Sequence, residues 1–146
     1  MIKVEDMPAE EMRALLQSLS FGHLGCAREN RPYVVPMHYA YEDGQIYFIT
    51  TEGLKTDYIE QNPEVCFQVE DVRDAAHWRS VMVTGRAERL TGADELEQAM
   101  QLITRRNPSL TPAVSLNQHD AWGRANNVAV YRLRAEVMDG RQTSDE

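Results

Sequence analysis

Apolar and polar residues alternate along much of this chain with the period of two that marks strands half-buried in a sheet. The alternation predicts strands over 23–28, 33–41, 45–50, 65–72 and 79–90, and a final one over 127–137. Glu42-Asp43-Gly44 fits a hairpin turn between the second and third of these, with the glycine supplying a positive φ. A polar loop is expected between Val72 and Arg79. Three segments switch to helical spacing. Met12, Leu15, Leu16 and Leu19 make one stripe behind Met7-Pro8, where proline is tolerated in a first turn and Glu10 and Glu11 suit its positive end; Gly22 closes it. Leu54, Tyr58 and Ile59 make a second, with Thr51 placed to cap it and Pro63 to stop it. Leu96, Met100 and Ile103 make a third, capped by Thr91 with Asp94 three residues on. Between 105 and 126 no period holds, and Pro108, Pro112 and several asparagines predict an irregular cover. Residues 141–146 are expected to be a disordered tail.

Many short strands and few helices in 146 residues predict one mainly β domain spanning 1–146, an antiparallel barrel, closed or nearly so, with peripheral helices. The net charge of -8 argues against a nucleic-acid partner, which needs a basic field. No apolar run is long enough to span a bilayer. Glu5 and Asp6 stand where a secretory signal needs positive charge and then an apolar core, so the cytoplasm is the expected compartment. Cys26 and Cys66, both in strand-like runs, read as two buried thiols in a reducing environment. His23, His77 and His119 have neither helical ligand spacing nor a cysteine companion, so no metal site is expected.

The stretch from Tyr33 to Leu90 carries the candidate chemistry. It places Lys55 at the mouth of a short helix, a ready position for a phosphate, beside apolar strands that suit a flat aromatic ring. Flavin mononucleotide (FMN) needs charge for its phosphate, hydroxyl partners for its ribityl chain and an apolar slot for its ring. Lys55 and the free N–H groups after Thr51 meet the first need. Thr50, Thr51 and Ser80 offer hydroxyls for the second. Val34, Val35, Pro36 and Met37 supply the third, partly through backbone groups, and Pro36 marks a strand edge or bulge because it cannot donate to a ladder. Trp78 and Trp122 both suit packing over a barrel end or stacking on the ring, and Trp122 is the better of the two to stack. Each residue also has a plainer reading. Lys55 suits a solvated helix face, Thr50 and Ser80 ordinary strand positions, Val34 to Met37 a core, and His38 a hydrogen-bonded structural histidine.

Tyr47 to Lys55, Ile59-Glu60-Gln61-Asn62-Pro63 and Val81 to Leu90 together resemble the core of the pyridoxamine 5'-phosphate oxidase-like family, over roughly residues 8 to 90. The resemblance implies a flavin-binding split barrel, a homodimer with two flavin sites at the subunit interface. It further implies that Lys55 holds the flavin phosphate, that Val34 to Met37 line the ring, that Thr50 lies beside the cofactor and that Ser80 contacts the ring. The departures point away from vitamin B6 oxidation. Tyr33 stands where the true oxidases have an arginine, Leu54-Lys55 where they have Arg-Lys, and His38 where they have a substrate-phosphate lysine. The chain ends in Asp139-Gly140-Arg141 and a polar tail, without their Arg-x-His element. A dianion deprived of those cations loses its charge-assisted bonds. Length and the Val35-Pro36-Met37-His38 run are more similar to the short, nitroimidazole-reductase-like branch, in which His38 is a substrate contact.

The expected activity is therefore an FMN-dependent oxidoreductase that takes electrons from a reduced nicotinamide or similar donor. It passes them to a small organic acceptor such as a nitroaromatic or quinone. A non-catalytic flavin carrier or redox sensor, and a haem-binding split barrel with His38 as an axial ligand, stay open as alternatives.

Overall fold

A computed structural model describes residues 1–108 and 128–145. Its elements run β1 (Ile2–Asp6), α1 (Ala9–Ser18), β2 (Phe21–Arg28), β3 (Arg31–His38), β4 (Ala40–Glu42), β5 (Gln45–Thr51), α2 (Leu54–Gln61), β6 (Glu64–Asp74), β7 (His77–Arg89), α3 (Ala93–Arg106), β8 (Val128–Arg134) and β9 (Val137–Asp145). All the strand pairings are antiparallel.

The sheet path is β3-β2-β6-β7-β8-β5-β4, with β9 also on β7 and β1 on β9. Strand β7 is the seam. Its first part, Arg79 to Thr84, pairs with β9, whereas Ala87 to Arg89 pair with β8. Gly85 sits at the change of partner, where an added Cβ would fall well inside contact distance of the Arg134 carbonyl oxygen. Only glycine lets the two backbones approach so closely there.

The turns follow local chemistry. Asp43 (φ 51°) and Gly44 (φ 77°) both take left-handed backbone, as the tight hairpin between β4 and β5 requires. Glu29 and Asn30 do the same between β2 and β3. The polar loop expected between Val72 and Arg79 is instead mostly strand. Its turn narrows to Ala75 and Ala76, closed by Asp74, whose carboxylate accepts from the Ala76 N–H at 2.8 Å and lies 2.8 Å from His77 Nδ1.

Both ends of the chain depart from expectation. Residues 141–145, expected to be disordered, complete β9, which pairs with β1 from Ile2↔Asp145 to Asp6↔Arg141. These two strands bury little, so neither shows a hydrophobic signature; backbone pairing and the anchorage of β9 on β7 hold them. The helix caps also differ. Gly53, not Thr51, precedes α2, and the Thr56 hydroxyl joins both the N–H and the carbonyl of Gly53 at 2.9 Å. Gly92, not Thr91, precedes α3, whose buried residues are Ala99, Leu102 and Ile103, with Leu96 and Met100 partly buried beside them.

The core has two parts. The barrel interior holds Leu15 and Leu16 of α1 with Leu24, Ile46, Phe48, Phe67, Val69, Val81, Val83, Tyr131 and Leu133, and Phe48 and Tyr131 stack at 5.3 Å. Burying each such large side chain contributes roughly 1.5–3 kcal/mol. The second part lies outside the barrel wall, where Leu102 and Ile103 of α3 cover Ala40, Leu90 and Val130. Among the described residues no helix is long and apolar enough to cross a membrane.

Candidate functional site

Among the described residues strand β3 is the end of the sheet path and one of its edges has no strand partner, and Pro36 suits such an edge because it has no N–H to donate. Alternation divides the four apolar residues expected to line a ring. Met37 is 6% exposed and joins the core, and Val35 packs partly against it. Val34, 65% exposed, and Pro36 face outward. The structure thus leaves Val35 and Met37 only their backbone to offer a ligand.

The outward residues of β3 continue across the sheet by register. Val34 lies opposite Gly25, then Cys66, then Thr84; Pro36 lies opposite His23, then Gln68, then Met82. Ser80, the predicted polar ring contact, is on this same outer face and accepts a hydrogen bond from Gln68 Nε2 at 3.0 Å. Gln68 Nε2 also reaches Glu70 at 3.3 Å, so both bonds engage its amide nitrogen and leave its carbonyl oxygen as the acceptor to present. Gln68 had no place in the sequence reading. Its position two residues from Cys66 on an alternating strand is the signal that would have found it.

Lys55 stands in the first turn of α2, half-buried. The first intrahelical bond there runs from the Asp57 N–H to the Gly53 carbonyl at 3.1 Å. The N–H groups of Leu54, Lys55 and Thr56 therefore precede the helical ladder and gather at its positive end. Three acids nearby would oppose an anion: Arg89 of β7 holds two of them, Glu52 at 2.6 Å and Glu60 at 3.5 Å, and the third is Asp57 in the first turn of α2. A second cation, Arg28, lies over the ring of Tyr58 on the same helix, 4.5 Å from its centroid, and Tyr33 of β3 packs on that ring at 5.4 Å. Arg28 too was missed, because the end of a strand gives no hint of which helix it meets. Burial pushes the Cys26 thiol up, with Cys66 acting the same way and the positive charge of Lys55 pulling it back down.

Thr50 and Thr51 end β5 immediately before α2. The Thr50 hydroxyl donates a long 3.3 Å bond to the Thr51 carbonyl, and the Thr51 side chain is exposed. His38 lies at the far end of β3, edge-on to Phe21 at 5.0 Å, with Nδ1 3.1 Å from Asn107 Oδ1. Trp78 is built into β7, its backbone N–H donating to Thr143 Oγ1 at 3.1 Å. Trp122, expected to stack on the ring, lies outside the described residues.

These groups fit a flavin mononucleotide in kind and in order. A cationic helix start with unsatisfied N–H groups suits a phosphate, two threonines follow for a polyol chain, and the edge of β3 offers an apolar ledge bearing free backbone groups. When bound, the flavin would supply the electron-accepting chemistry, and these residues would seat it.

The pyridoxamine 5'-phosphate oxidase family profile matches residues 8–142. An uncharacterized protein of Rhizobium meliloti (strain 1021) is 33% identical over 87 residues, spanning 60% of this chain and 58% of that protein. The crystal structure of an FAD-binding protein from Mesorhizobium loti superposes with a TM-score of 0.79 at 29% identity, covering 99% of this chain and all of that one (100%). A 5-nitroimidazole antibiotic resistance protein from Bacteroides thetaiotaomicron VPI-5482 shares the fold at a TM-score of 0.73 and 21% identity, over 100% of this chain and 93% of the other. An FAD-binding protein from Mycobacterium smegmatis does so at 0.68 and 20%, over 96% and 100%. A mainly antiparallel split barrel matched over nearly its whole length identifies the chain as a member of the pyridoxamine 5'-phosphate oxidase family.

Proposed function

We propose that this protein is a cytoplasmic, homodimeric FMN-binding oxidoreductase, taking electrons from a reduced nicotinamide or similar donor and passing them to a small nitroaromatic- or quinone-like acceptor. One observation carries the reading: among the described residues no helix covers the outer face of β3, β2, β6 and β7, and that face ends at the cationic start of α2. Lys55 and the first-turn N–H groups bind the phosphate. Thr50 and Thr51 bind the ribityl hydroxyls. The ring lies along Val34 to Met37, held by backbone on one side, with Ser80 and Gln68 as its polar partners. The flavin named in the Mesorhizobium and Mycobacterium structures is FAD, which supports a flavin here. The mononucleotide is proposed because, among the described residues, the start of α2 with Lys55 is the phosphate locus the fold presents to the face of β3.

The dimer rests on the same face. Exposed large apolar residues Ile2, Val4, Phe21, Val34, Val72, Met82 and Val137 all lie on it by register and alternation. A patch of this kind on a soluble domain marks an interface. A second copy and a pair of flavins would cover it together. Vitamin B6 oxidation is set aside because Tyr33, Leu54 and His38 replace the cations that a phosphorylated vitamin needs.

Purified protein is expected to show a flavin absorption band; a haem Soret band, or a colourless protein that ignores added FMN, overturns the reading. Lys55→Ala is expected to weaken FMN retention roughly tenfold to a hundredfold, the worth of one charge-assisted bond, with the fold intact by circular dichroism. Unchanged retention would remove Lys55 from the site.

A further inference from the structure

We propose that Asn107 is a positioning residue that holds His38 in its Nδ1–H form, so that the Nε2 lone pair is presented to an N–H or O–H donor on a ligand bound over β3. The ligand half of this inference rests on the flavin reading above; the imidazole half does not.

Asn107 is 3% exposed, one of two buried polar side chains among the described residues. Its backbone N–H closes α3 by donating to the Ile103 carbonyl at 2.9 Å. Its Nδ2 lies 2.9 Å from the Tyr39 carbonyl oxygen and 3.0 Å from that of Ile103. Two carbonyl oxygens can only accept, so the amide nitrogen must be the atom between them, and the orientation of the amide follows from chemistry. The Tyr39 carbonyl is itself fixed, because the same residue donates its N–H to the Ser20 carbonyl at 3.0 Å and its hydroxyl to the Leu16 carbonyl at 2.7 Å.

The remaining amide atom, Oδ1, is thereby aimed at His38 Nδ1, 3.1 Å away. An amide oxygen only accepts, so Nδ1 must carry the proton, and in the neutral ring Nε2 is an acceptor. Phe21 packs edge-on against the ring and limits its rotation. Nε2 has no partner among the described residues. Alternation sets His38 on the outer face with Val34 and Pro36, at the end of the ledge opposite Lys55. A group seeking an acceptor there is recognised; one that offers only acceptors is not. Of the electron donors proposed above, a dihydronicotinamide carries such a group in its primary carboxamide.

The first test needs no flavin. Long-range 15N–1H correlation of histidine-labelled protein, with His38→Gln to assign the signal, is expected to find the His38 proton on Nδ1. Asn107→Leu removes the acceptor and is expected to lose that form. A proton on Nε2 in the unmodified chain overturns the proposal whether or not that variant folds. The second test compares reduction of the FMN-loaded protein by 1-benzyl-1,4-dihydronicotinamide and by its N,N-dimethylamide. A preference of roughly tenfold for the primary amide, the worth of one hydrogen bond, is expected, falling towards unity in His38→Phe. Equal rates in the unmodified protein overturn the ligand half. Failure to load FMN overturns it as well, together with the flavin reading, but leaves the tautomer result standing.

Discussion

The barrel has two outer walls built by the same rule and finished differently. On the wall of β4, β5 and β8, outward Ala40, Tyr47, Ile49 and Val130 are covered by α3. On the wall of β3, β2, β6 and β7, outward Val34, Phe21 and Met82 are left 40% exposed or more. Both strands and spacing are alike; only the supply of a covering helix differs. A wall covered by its own chain contributes to stability. An uncovered wall of similar apolar character contributes to recognition, and its cost in exposed surface is offset only when something binds. The uncovered wall is also the one that meets Lys55, Ser80, Gln68 and His38.

Substitutions can test whether this division holds. The largest effect is expected on the covered wall: Ile103→Ala should lower stability by about 3 kcal/mol in a urea titration, through lost burial and the cavity left behind, while FMN affinity of the folded protein stays as it was. Loss of flavin binding there without loss of stability would erase the distinction. On the open wall, Val34→Glu should change the stability of the folded chain by no more than about 0.5 kcal/mol, as for an exposed position. It should nevertheless reduce both FMN retention and self-association, read by flavin titration and gel filtration. A large fall in stability with binding unchanged would show that Val34 belongs to a core.

The smallest effect concerns the two thiols. Cys66 lies on the open wall and Cys26 in the core, where burial holds its proton above the ordinary thiol range. Cys66 should react first with iodoacetamide because it lies on the open wall, and Cys26 should lag because it is buried and its thiolate is disfavoured. The same burial acts on folding. The stability tied to the protonated Cys26 is present below the ordinary value and falls as pH rises past it, because only the unfolded chain readily gives up the proton. Bound FMN should slow alkylation of Cys66 and leave Cys26 alone, as peptide mass spectrometry would show.

Much of this architecture was legible in the residues, for reasons that also explain the gaps. Strands with one buried face announce themselves by alternation, which is how β2, β5, β6 and β7 were found, and Asp43-Gly44 fixed a turn because few residues tolerate its backbone. Strands β1 and β9 were invisible because almost nothing on them is buried; their hydrogen bonds carry no sequence signature. Val34 to Met37 were read as a continuous apolar lining, yet period two sends Val35 and Met37 inward, and an apolar residue on each face hides the division. Thr51 looked the better cap, but the chain continues extended through it and turns only at Gly53, leaving Thr56 to close the helix. The bond between His38 and Asn107 joins residues 69 positions apart, beyond the reach of any local pattern.

Because β7 is a wall of both sheets, with Gly85 at its bend, neither half of the barrel has a complete border of its own. Heat or denaturant should therefore melt the folded chain in one step, and a fragment that ends before this strand has no surface on which to assemble. The same sharing puts Ser80 and Met82 of the open wall on the strand that leads into Leu90, which α3 covers.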